Sequence, residues 1–484
     1  MSGTQKLVKG VSSQTIVTIV LGVVEIVTFS IMSRLLTQKD FGYYAAIVAV
    51  AAVFRSLSET GIGSALIQKK DLDRGYINNA FSLCLIFGFV ISGALCILSP
   101  WLANLVADET MTVPLRLFST TLLCNCLASI NISLMQRQLQ FIRIGLIELT
   151  AQIITTAVAV LLALKGLGYY AILAKAVLRS FIVLVVSYFA CNIRYSFVFD
   201  KKEYKSIFNF GGWLMFSSVF RNLANQTDRL LISSLISVEA LGVYTRPKEF
   251  IYTISEKINA IFDSVLFPIL STYQDDKTKL QSSFLSSFYY LNILGMLVSL
   301  LFFCNSEFII RIFFGQEWLN IDLLFMVLSF YSVLLINGRI GDIFLRSLAL
   351  TKQQFLFRVC QFVLAIIFIF GGYGLGLVAI AVSIMVSYTI ITAIKLIYLA
   401  KKLELCMAEI ILTMLKSYKF ILYVIPFYLL CNYYLPHTLL GGIIQASVIV
   451  LIIGILFLGV PQLVGKIYKE DIHAKVLAFV KSKL

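Results

Sequence analysis

Residues 80–98 read AFSLCLIFGFVISGALCIL, a stretch without one charged side chain. As an α-helix this stretch would be about 28 Å long, close to the hydrocarbon thickness of a bilayer. Strands of a membrane barrel are shorter and alternate apolar with polar residues, which this stretch does not. Because backbone groups that face lipid find no water to bond, a helix is the form that satisfies them. The stretch therefore predicts a transmembrane helix.

Apolar runs of similar length recur along the whole chain of 484 residues. Charged residues make up 13% of the chain, against about 25% in soluble domains, and the mean hydropathy is +0.91. This composition excludes an ordinary soluble domain. We predict an all-α polytopic membrane protein with about fourteen transmembrane helices, at residues 11–33, 41–60, 78–99, 112–133, 144–164, 168–191, 211–235, 241–267, 284–304, 320–340, 354–372, 374–398, 417–434 and 439–460.

The distribution of lysine and arginine over the loops predicts the orientation of the chain. Cytoplasmic loops of membrane proteins collect these residues. With the N-terminus inside, 26 of them, Lys395 included, fall on the cytoplasmic side and 5 on the other side. We therefore expect both termini in the cytoplasm. The same bias explains the net charge of +15 without a nucleic-acid partner.

A weak internal repeat occurs at an offset of 200 residues, where residues 31–44 align with residues 231–244. Six predicted spans separate the two copies, so both copies have the same orientation and predict a pseudo-two-fold axis along the membrane normal. We expect two six-helix lobes, residues 1–200 and 201–400, followed by two further helices and a basic tail in residues 401–484. The identical pairs are Ser33 and Ser233, Leu35 and Leu235, Gly42 and Gly242, and Tyr44 and Tyr244.

Nine cations remain inside the predicted spans, where each charge costs at least about 2.5–3.5 kcal/mol. They outnumber the carboxylates of the spans, which favours a basic inner cavity for an anionic headgroup, because the planar arginine fork binds two phosphate oxygens at once. Pro247 is expected to open or kink the eighth span. The candidate residues of the cavity are Arg55, Arg221, Arg229, Arg246, Lys248 and Lys257.

The carboxylates of the spans have two interpretations, which the sequence leaves open. They form ion pairs that hold the lobes together, such as Arg55 with Glu59 or Asp228 with Arg229 or Arg221, or they bind a coupling proton or cation. Candidates for either role are Glu25, Glu59, Glu148, Asp228 and Glu256. Lys175, Arg179 and Arg339 are instead expected to snorkel toward a helix end.

Enzyme and metal chemistry are not expected. The nine cysteines contain no CxxC pair and there are only two histidines, which argues against a zinc site. No nucleophile–base arrangement or phosphate-binding loop stands out. We expect no metal and no cofactor.

Two motifs resemble the opening of a known family. Residues 33–44, SRLLTQKDFGYY, and residues 59–68, ETGIGSALIQ, are similar to bacterial polysaccharide flippases of the Wzx type, within the multidrug/oligosaccharidyl-lipid/polysaccharide exporter superfamily. Asp228-Arg229 followed by residues 241–244, LGVY, resembles the seventh-span signature of that family. The likeness is stronger to the branch associated with colanic acid and other exopolysaccharides, and in span count and length it covers the whole chain.

The resemblance implies a flippase of the bacterial inner membrane that serves surface polysaccharide synthesis, including exopolysaccharide and lipopolysaccharide O-antigen. It implies that an undecaprenyl-diphosphate-linked oligosaccharide moves from the cytoplasmic to the periplasmic leaflet by alternating access, driven by a proton or sodium gradient. Membrane lipid and polysaccharide assembly proteins are the other partners expected. The alternatives are a drug or cation exporter of the same superfamily and a polytopic polysaccharide polymerase or ligase.

Overall fold

The computed structural model describes residues 3–58, 62–69, 72–106, 109–138, 140–200, 204, 219–220, 222–273, 276–348 and 350–434. These residues form helices and short connections, and no strand occurs among them. The prediction of an all-α polytopic protein is therefore confirmed. The fourteenth predicted span and the basic tail lie outside the described residues.

Sixteen α-helices follow one another in the described part of the chain, some joined by short 3-10 turns. The first seven are α1 (Gly3–Leu35), α2 (Gln38–Ser58), α3 (Ile62–Gln68), α4 (Arg74–Val106), α5 (Thr112–Arg137), α6 (Phe141–Leu164) and α7 (Tyr169–Cys191). Helix α8 covers residues 222–235. The remainder are α9 (Val238–Thr272), α10 (Lys277–Cys304), α11 (Ser306–Ile309), α12 (Asp322–Ser329), α13 (Tyr331–Ser347), α14 (Thr351–Gly372), α15 (Leu377–Leu403) and α16 (Met407–Tyr434).

Eight helical segments of the described chain are long and apolar enough to cross a membrane. They coincide with the third to sixth and the ninth to twelfth predicted spans. Helices α1, α2, α9 and α16 cover the first, second, eighth and thirteenth spans, and α8 covers part of the seventh. Pro247 does not open the eighth span, since α9 begins at Val238 and continues through Pro247. The alternative, a kink at Pro247, stays a prediction. Burial of Leu241 and Tyr244 in the first turns holds this part of the helix despite the backbone hydrogen bond that proline removes.

Helix α6 shows how these helices divide their surface between protein and lipid. Apart from Ile147, its buried face consists of small residues, including Ala151, Thr155, Ala159 and Ala163, which are spaced four apart. Many of its large apolar residues are exposed, among them Leu146, Ile153, Ile154, Leu161 and Leu164. Small residues let helix backbones approach closely inside a membrane, where lipid solvates large apolar side chains as well as protein does. This distribution is the one expected of a lipid-embedded helix.

The chain forms two compact units. The first contains residues 1–257, 312–324 and 352–391, and the second contains residues 258–311, 325–351 and 392–484. In the first unit α4 packs against α5, α5 and α6 pack against α7, and α1 packs against α6. In the second unit α10 packs against α13 and α16. The division into lobes 1–200 and 201–400 stays a prediction.

The first unit contains a reciprocal crossing between the beginnings of α2 and α9. A Cβ atom placed on Gly42 would lie 1.8 Å from the carbonyl oxygen of Val238, and one on Gly242 would lie 1.8 Å from the carbonyl oxygen of Gln38. Neither position therefore accepts a side chain without a shift of backbone. These two glycines are one of the identical pairs of the repeat, so the repeat places its glycines against each other.

Candidate functional site

Besides the crossing of α2 and α9, a contact between Asp40 on α2 and Tyr169 on α7 aligns the starts of these two helices in the first unit. The Asp40 carboxylate near the start of α2 accepts a hydrogen bond of 2.9 Å from the backbone N–H of Tyr169, the first residue of α7. The rings of Tyr43 and Tyr169 pack with centroids 4.9 Å apart. The first turns of α2 and α7 are therefore side by side. Depth along either helix can be counted from this level.

Asp228 and Lys248 form the most deeply buried ion pair of the first unit among the described residues. The Lys248 side chain is 9% exposed and that of Asp228 is 5% exposed. The Lys248 ammonium donates to a carboxylate oxygen of Asp228, and the Tyr244 hydroxyl donates to the same oxygen at 2.9 Å. Tyr244 and Lys248 are four residues apart on α9 and thus share the face that meets Asp228 on α8. The sequence placed Asp228 with Arg229 or Arg221; in the structure Lys248 pairs with it.

Arg246 is buried between aromatic rings rather than open to a cavity. Its guanidinium carbon lies 3.4 Å from the ring centroid of Phe29 and 3.9 Å from that of Phe41. It donates to the backbone carbonyl of Phe29 at 2.9 Å and to the Ser33 hydroxyl. Stacking and hydrogen bonding together satisfy this cation. Arg246 thus joins α9 to the end of α1.

Glu249, three residues beyond Arg246 on α9, forms ion pairs with two arginines. Arg229 on α8 lies 3.1 Å from one of its carboxylate oxygens, and Arg246 lies 3.7 Å from the other. Glu249 stays half-buried. One carboxylate therefore faces two guanidinium groups, which leaves positive charge at this point.

Two further carboxylates pair with cations on other helices. Glu25 on α1 lies 3.2 Å from the Lys257 ammonium on α9, and the Lys257 side chain lies alongside Gly22. Glu148 on α6 accepts a 2.6 Å hydrogen bond from Arg179 on α7. Arg179 therefore has a carboxylate partner on α6, while its side chain is 48% exposed, and its snorkelling stays a prediction. Because both pairs keep partly exposed side chains, they remain able to exchange partners.

Tyr44 marks the point where several of these charges converge. Its hydroxyl lies within electrostatic range of Glu249, Arg179, Arg229 and Arg55. Charged side chains of α2, α7, α8 and α9 thus lie around the Tyr44 hydroxyl in the first unit. Arg55 is exposed. The sequence offered one signal for Tyr44, namely its identity with Tyr244 in the repeat.

Two sequence candidates, Glu59 and Arg221, lie outside the described residues. Glu256 is half-buried next to Lys257, but Lys257 turns to Glu25 instead. The structure thus brings Arg55 and Arg229 near Tyr44 and Glu249. Lys257 pairs with Glu25, and Lys248 and Arg246 lie in buried contacts.

Lys175 is a cation that the sequence interpretation set aside. It is the seventh residue of α7, half-buried, with Arg246, Arg179 and Glu25 as electrostatic neighbours. Six residues separate it from the start of α7, about 9 Å of helix rise, which places it inside the span rather than at a helix end. The sequence alone also indicated that Lys175 lies inside a span, because residue 175 falls within the sixth predicted span, residues 168–191.

The second unit contains its own ion pairs. Asp263 on α9 accepts Arg339 with both carboxylate oxygens and Arg346 at 3.2 Å. Lys395 on α15 donates to Asp342 on α13 at 2.9 Å, and both side chains are buried. Counting Lys395 with the loop cations is therefore wrong, because its carboxylate partner on α13 draws it inside. Arg339 likewise pairs with a carboxylate, and its snorkelling stays a prediction.

Comparisons with known proteins show a family match and similar chains. The family described as "Polysaccharide biosynthesis protein" matches residues 31–323. The lipopolysaccharide biosynthesis protein WzxC of Escherichia coli K12 is 23% identical over 83% of this chain and 82% of its own length. The succinoglycan biosynthesis transport protein ExoT of Rhizobium meliloti is 21% identical over 60% of this chain and 59% of its own length.

Among solved structures, the lipid II flippase MurJ in an inward closed conformation superposes with a TM-score of 0.72 at 14% identity, over 92% of this chain and 98% of MurJ. This likeness concerns the fold. The family match covers more than half of the chain, and the resemblance seen in residues 33–44 and 59–68 is confirmed. The chain belongs to the family of polysaccharide biosynthesis proteins.

Proposed function

We propose that this protein is a flippase for an undecaprenyl-diphosphate-linked oligosaccharide, which it moves from the cytoplasmic to the periplasmic leaflet of a bacterial inner membrane by alternating access. Both termini would lie in the cytoplasm. The printed names of WzxC and ExoT, a biosynthesis protein and a biosynthesis transport protein, support a role in surface polysaccharide assembly. The flippase named MurJ supports a lipid-linked substrate.

The observation that carries the proposal is the surplus of positive charge inside the spans of the first unit. Apart from Arg116 near the start of its span, eight cations stand against six carboxylates in the predicted spans up to residue 257, an excess of two. Each unmatched charge in a membrane is expensive, so an anionic ligand is needed to balance it. A diphosphate diester carries two negative charges and has oxygen atoms that arginine forks bind well. The residues counted are Arg55, Lys175, Arg179, Arg221, Arg229, Arg246, Lys248 and Lys257, with Glu25, Glu59, Glu148, Asp228, Glu249 and Glu256.

Arg55 and Arg229 are the members of this set that we assign to the diphosphate. Both lie in the region around Tyr44. Arg229 shares Glu249 with Arg246, so a phosphate oxygen can replace the carboxylate as its partner. An exporter of cationic drugs would require an excess of carboxylates in the same place, which the spans do not have.

The test is a flipping assay with purified protein in liposomes that carry a fluorescent undecaprenyl-diphosphate-linked oligosaccharide. Arg55→Ala and Arg229→Ala should each slow flipping about tenfold or more, because a charge-assisted hydrogen bond contributes about 1.5–3 kcal/mol. Arg194→Ala, at an exposed position after α7, is the matched control and should leave the rate unchanged. Unaltered rates in both site variants at normal folding would refute the assigned site.

Coupling to a proton or sodium gradient is tested in the same liposomes. A pH gradient and a sodium gradient are imposed separately on the wild type and on Glu25→Gln and Glu148→Gln. If one of these carboxylates carries the coupling ion, its variant should flip at the basal rate whichever gradient is applied. Wild-type flipping that ignores both gradients would remove coupling from the proposal.

A further inference from the structure

Arg137, the last residue of α5, holds the end of the short helix α3. Its Nη1 atom donates hydrogen bonds to the backbone carbonyl of Leu66 at 2.8 Å, to that of Ile67 at 3.3 Å and to that of Lys69. The last carbonyls of a helix have no partner within the helix and carry a partial negative charge. The positive guanidinium therefore suits this position, and one side chain joins α5 to the C-terminal end of α3.

Helix α3 depends on its neighbours, because a helix of seven residues is too short to be stable alone. Ile62 and Leu66 are buried and pack in one cluster with side chains of α4 and α5. A Cβ atom on Gly63 would overlap the Ser133 hydroxyl, so the backbone of α3 lies directly against α5. Arg137 is four residues beyond Ser133 and shares its face of α5. Helix α3 is thus attached to one face of α5 at both of its ends.

Helix α3 in turn fixes the end of α2, which contains Arg55. Arg55 lies three residues before Ser58, the last residue of α2, and only residues 59–61 separate α2 from α3. Ser56 is fully buried and accepts a 2.8 Å hydrogen bond from the Asn222 side chain on α8. A shift of α3 away from α5 would therefore move the end of α2 against these contacts, and a displacement of about 1 Å is enough to impair a binding site.

We propose that Arg137 is a positioning residue for Arg55: by capping α3 it holds the end of α2 where the Arg55 guanidinium meets the diphosphate. This inference rests on the proposed function and adds a residue that acts on its site from another helix. Arg137 contacts α3 and not the diphosphate, because its Nη1 atom is used by three backbone carbonyls. The charge of Arg137 matters here, since hydrogen bonds from a charged donor are about twice as strong as neutral ones.

The experiment is a double-mutant cycle on the binding of a fluorescent undecaprenyl-diphosphate-linked oligosaccharide to the purified protein in detergent. Binding is measured for the wild type, Arg137→Gln, Arg55→Ala and the two changes combined. Arg137→Gln should weaken binding about fivefold, since its effect through Arg55 cannot exceed the loss of Arg55 itself, about tenfold. In the Arg55→Ala background the same change should weaken binding less than about twofold, because the group that it positions is gone. Arg137→Lys keeps the charge and should weaken wild-type binding only about twofold.

Arg143→Gln is the matched control, because Arg143 is an exposed arginine in the first turn of α6. It should leave binding unchanged. Thermal unfolding in detergent shows whether each variant is folded. If Arg137→Gln does not fold, the cycle is run with Arg137→Lys, whose loss should likewise disappear in the Arg55→Ala background.

Equal losses from the Arg137 change with and without Arg55 would overturn the inference, because independent effects add and a purely structural role of Arg137 predicts that result. Unchanged binding in the Arg137 variant, while Arg55→Ala weakens binding, would overturn it as well and leave the proposed function intact. Unchanged binding in Arg55→Ala itself would instead refute the diphosphate site of the proposed function, and the role of Arg137 with it. The cycle thus separates failure of the positioning role from failure of the proposed function.

Discussion

At the scale of single residues, Asp228 and Lys248 lie in a site where neither charge can be removed alone. Lys248→Met would leave the Asp228 carboxylate buried next to the Tyr244 hydroxyl, and loss of one partner of a buried pair costs about 3–5 kcal/mol. The double variant Asp228→Asn with Lys248→Met should regain most of that loss, because no buried charge remains. Thermal unfolding in detergent measures both effects.

Lys277→Met is the control for this comparison, since the Lys277 and Glu404 side chains form an ion pair while 64% and 65% exposed. It should change the unfolding midpoint little, because exposed pairs contribute little to stability. A double variant as unstable as Lys248→Met alone would contradict the ion-pair explanation. Flipping by a stable double variant would further show that Lys248 holds α8 to α9 rather than binding substrate.

Asp276 gives a pH dependence at the start of α10. Hydrogen bonds from the Thr278 hydroxyl, then from Lys279, hold the pKa of the Asp276 carboxyl at about 2, below its ordinary value of 3.8. A carboxyl with a lowered pKa in the folded state contributes stability above its unfolded pKa, and that contribution disappears as the pH falls toward 2. We expect the amides of residues 277–280 to lose protection from hydrogen exchange between pH 4 and pH 2, after correction for the intrinsic rate.

Asp276→Asn should show weaker protection at pH 5 and no such change between pH 4 and pH 2, because an amide side chain does not titrate. Protection around the start of α14, where no aspartate precedes the helix, serves as the internal reference. Equal pH profiles in the wild type and the variant would contradict the capping role of Asp276.

The pairing of charges shows what residue patterns reveal and what they do not. The sequence paired charges that are neighbours in the chain, such as Asp228 with Arg229. The structure pairs Glu25 with Lys257 and Glu148 with Arg179, in each case across two different helices. Helix periodicity tells which residues share a face, but the facing helix is chosen by packing of the whole unit. The excess of cations, which depends only on counting, was accessible without the fold.

At the scale of elements, the apolar runs predicted helices α4 to α7 because a run of about twenty apolar residues is itself sufficient for a span. The eighth span was predicted to begin at residue 241, three residues after the first residue of α9, but Pro247 suggested an opening or a kink in this part of the helix. The first turns of α9 are kept by burial of Leu241 and Tyr244 and by the contact of Gly242 with α2. These contacts come from a helix distant in the sequence and leave no local signal except the repeat.

The crossing of α2 and α9 yields a prediction for these elements. Gly42→Ala or Gly242→Ala would place a methyl group against a backbone carbonyl 1.8 Å away, and such overpacking costs about 1–3 kcal/mol or more. The beginnings of the two helices should move apart, which favours conformations in which they do not touch. Disulfide formation between cysteines introduced at Lys39 and Glu239 should be slower in either alanine variant than in the glycine background.

Gly93→Ala on α4 is the matched control, because a Cβ atom there meets nothing within 4 Å. It should leave cross-linking unchanged and stability unchanged or slightly higher, since alanine favours helix more than glycine does. Unchanged cross-linking in Gly42→Ala would show that α2 and α9 accept the methyl group by a small local shift, contrary to our expectation.

At the scale of the whole molecule, the alternation of loop charge predicts which side of the membrane each loop occupies, and the proposed flippase activity requires this topology. Helix α6 separates Gln138 from Lys165, and α15 separates Tyr373 from Lys402; all four side chains are exposed. The excess of lysine and arginine places Gln138 and Lys402 in the cytoplasm and Lys165 and Tyr373 outside. Each helix is long and apolar enough to cross the membrane.

Single cysteines at these four positions, in a protein freed of its own cysteines, test this topology in intact cells. Lys165→Cys and Tyr373→Cys should react with a membrane-impermeant maleimide, whereas Gln138→Cys and Lys402→Cys should react only after the membrane is permeabilised. Because one pair flanks a helix of the first repeat copy and the other pair a helix of the second, they also test the parallel repeat. If one pair is labelled as expected and the other pair is labelled in reverse, the two repeat copies have opposite orientations in the membrane. A lipid-linked substrate would then need a different path through the protein.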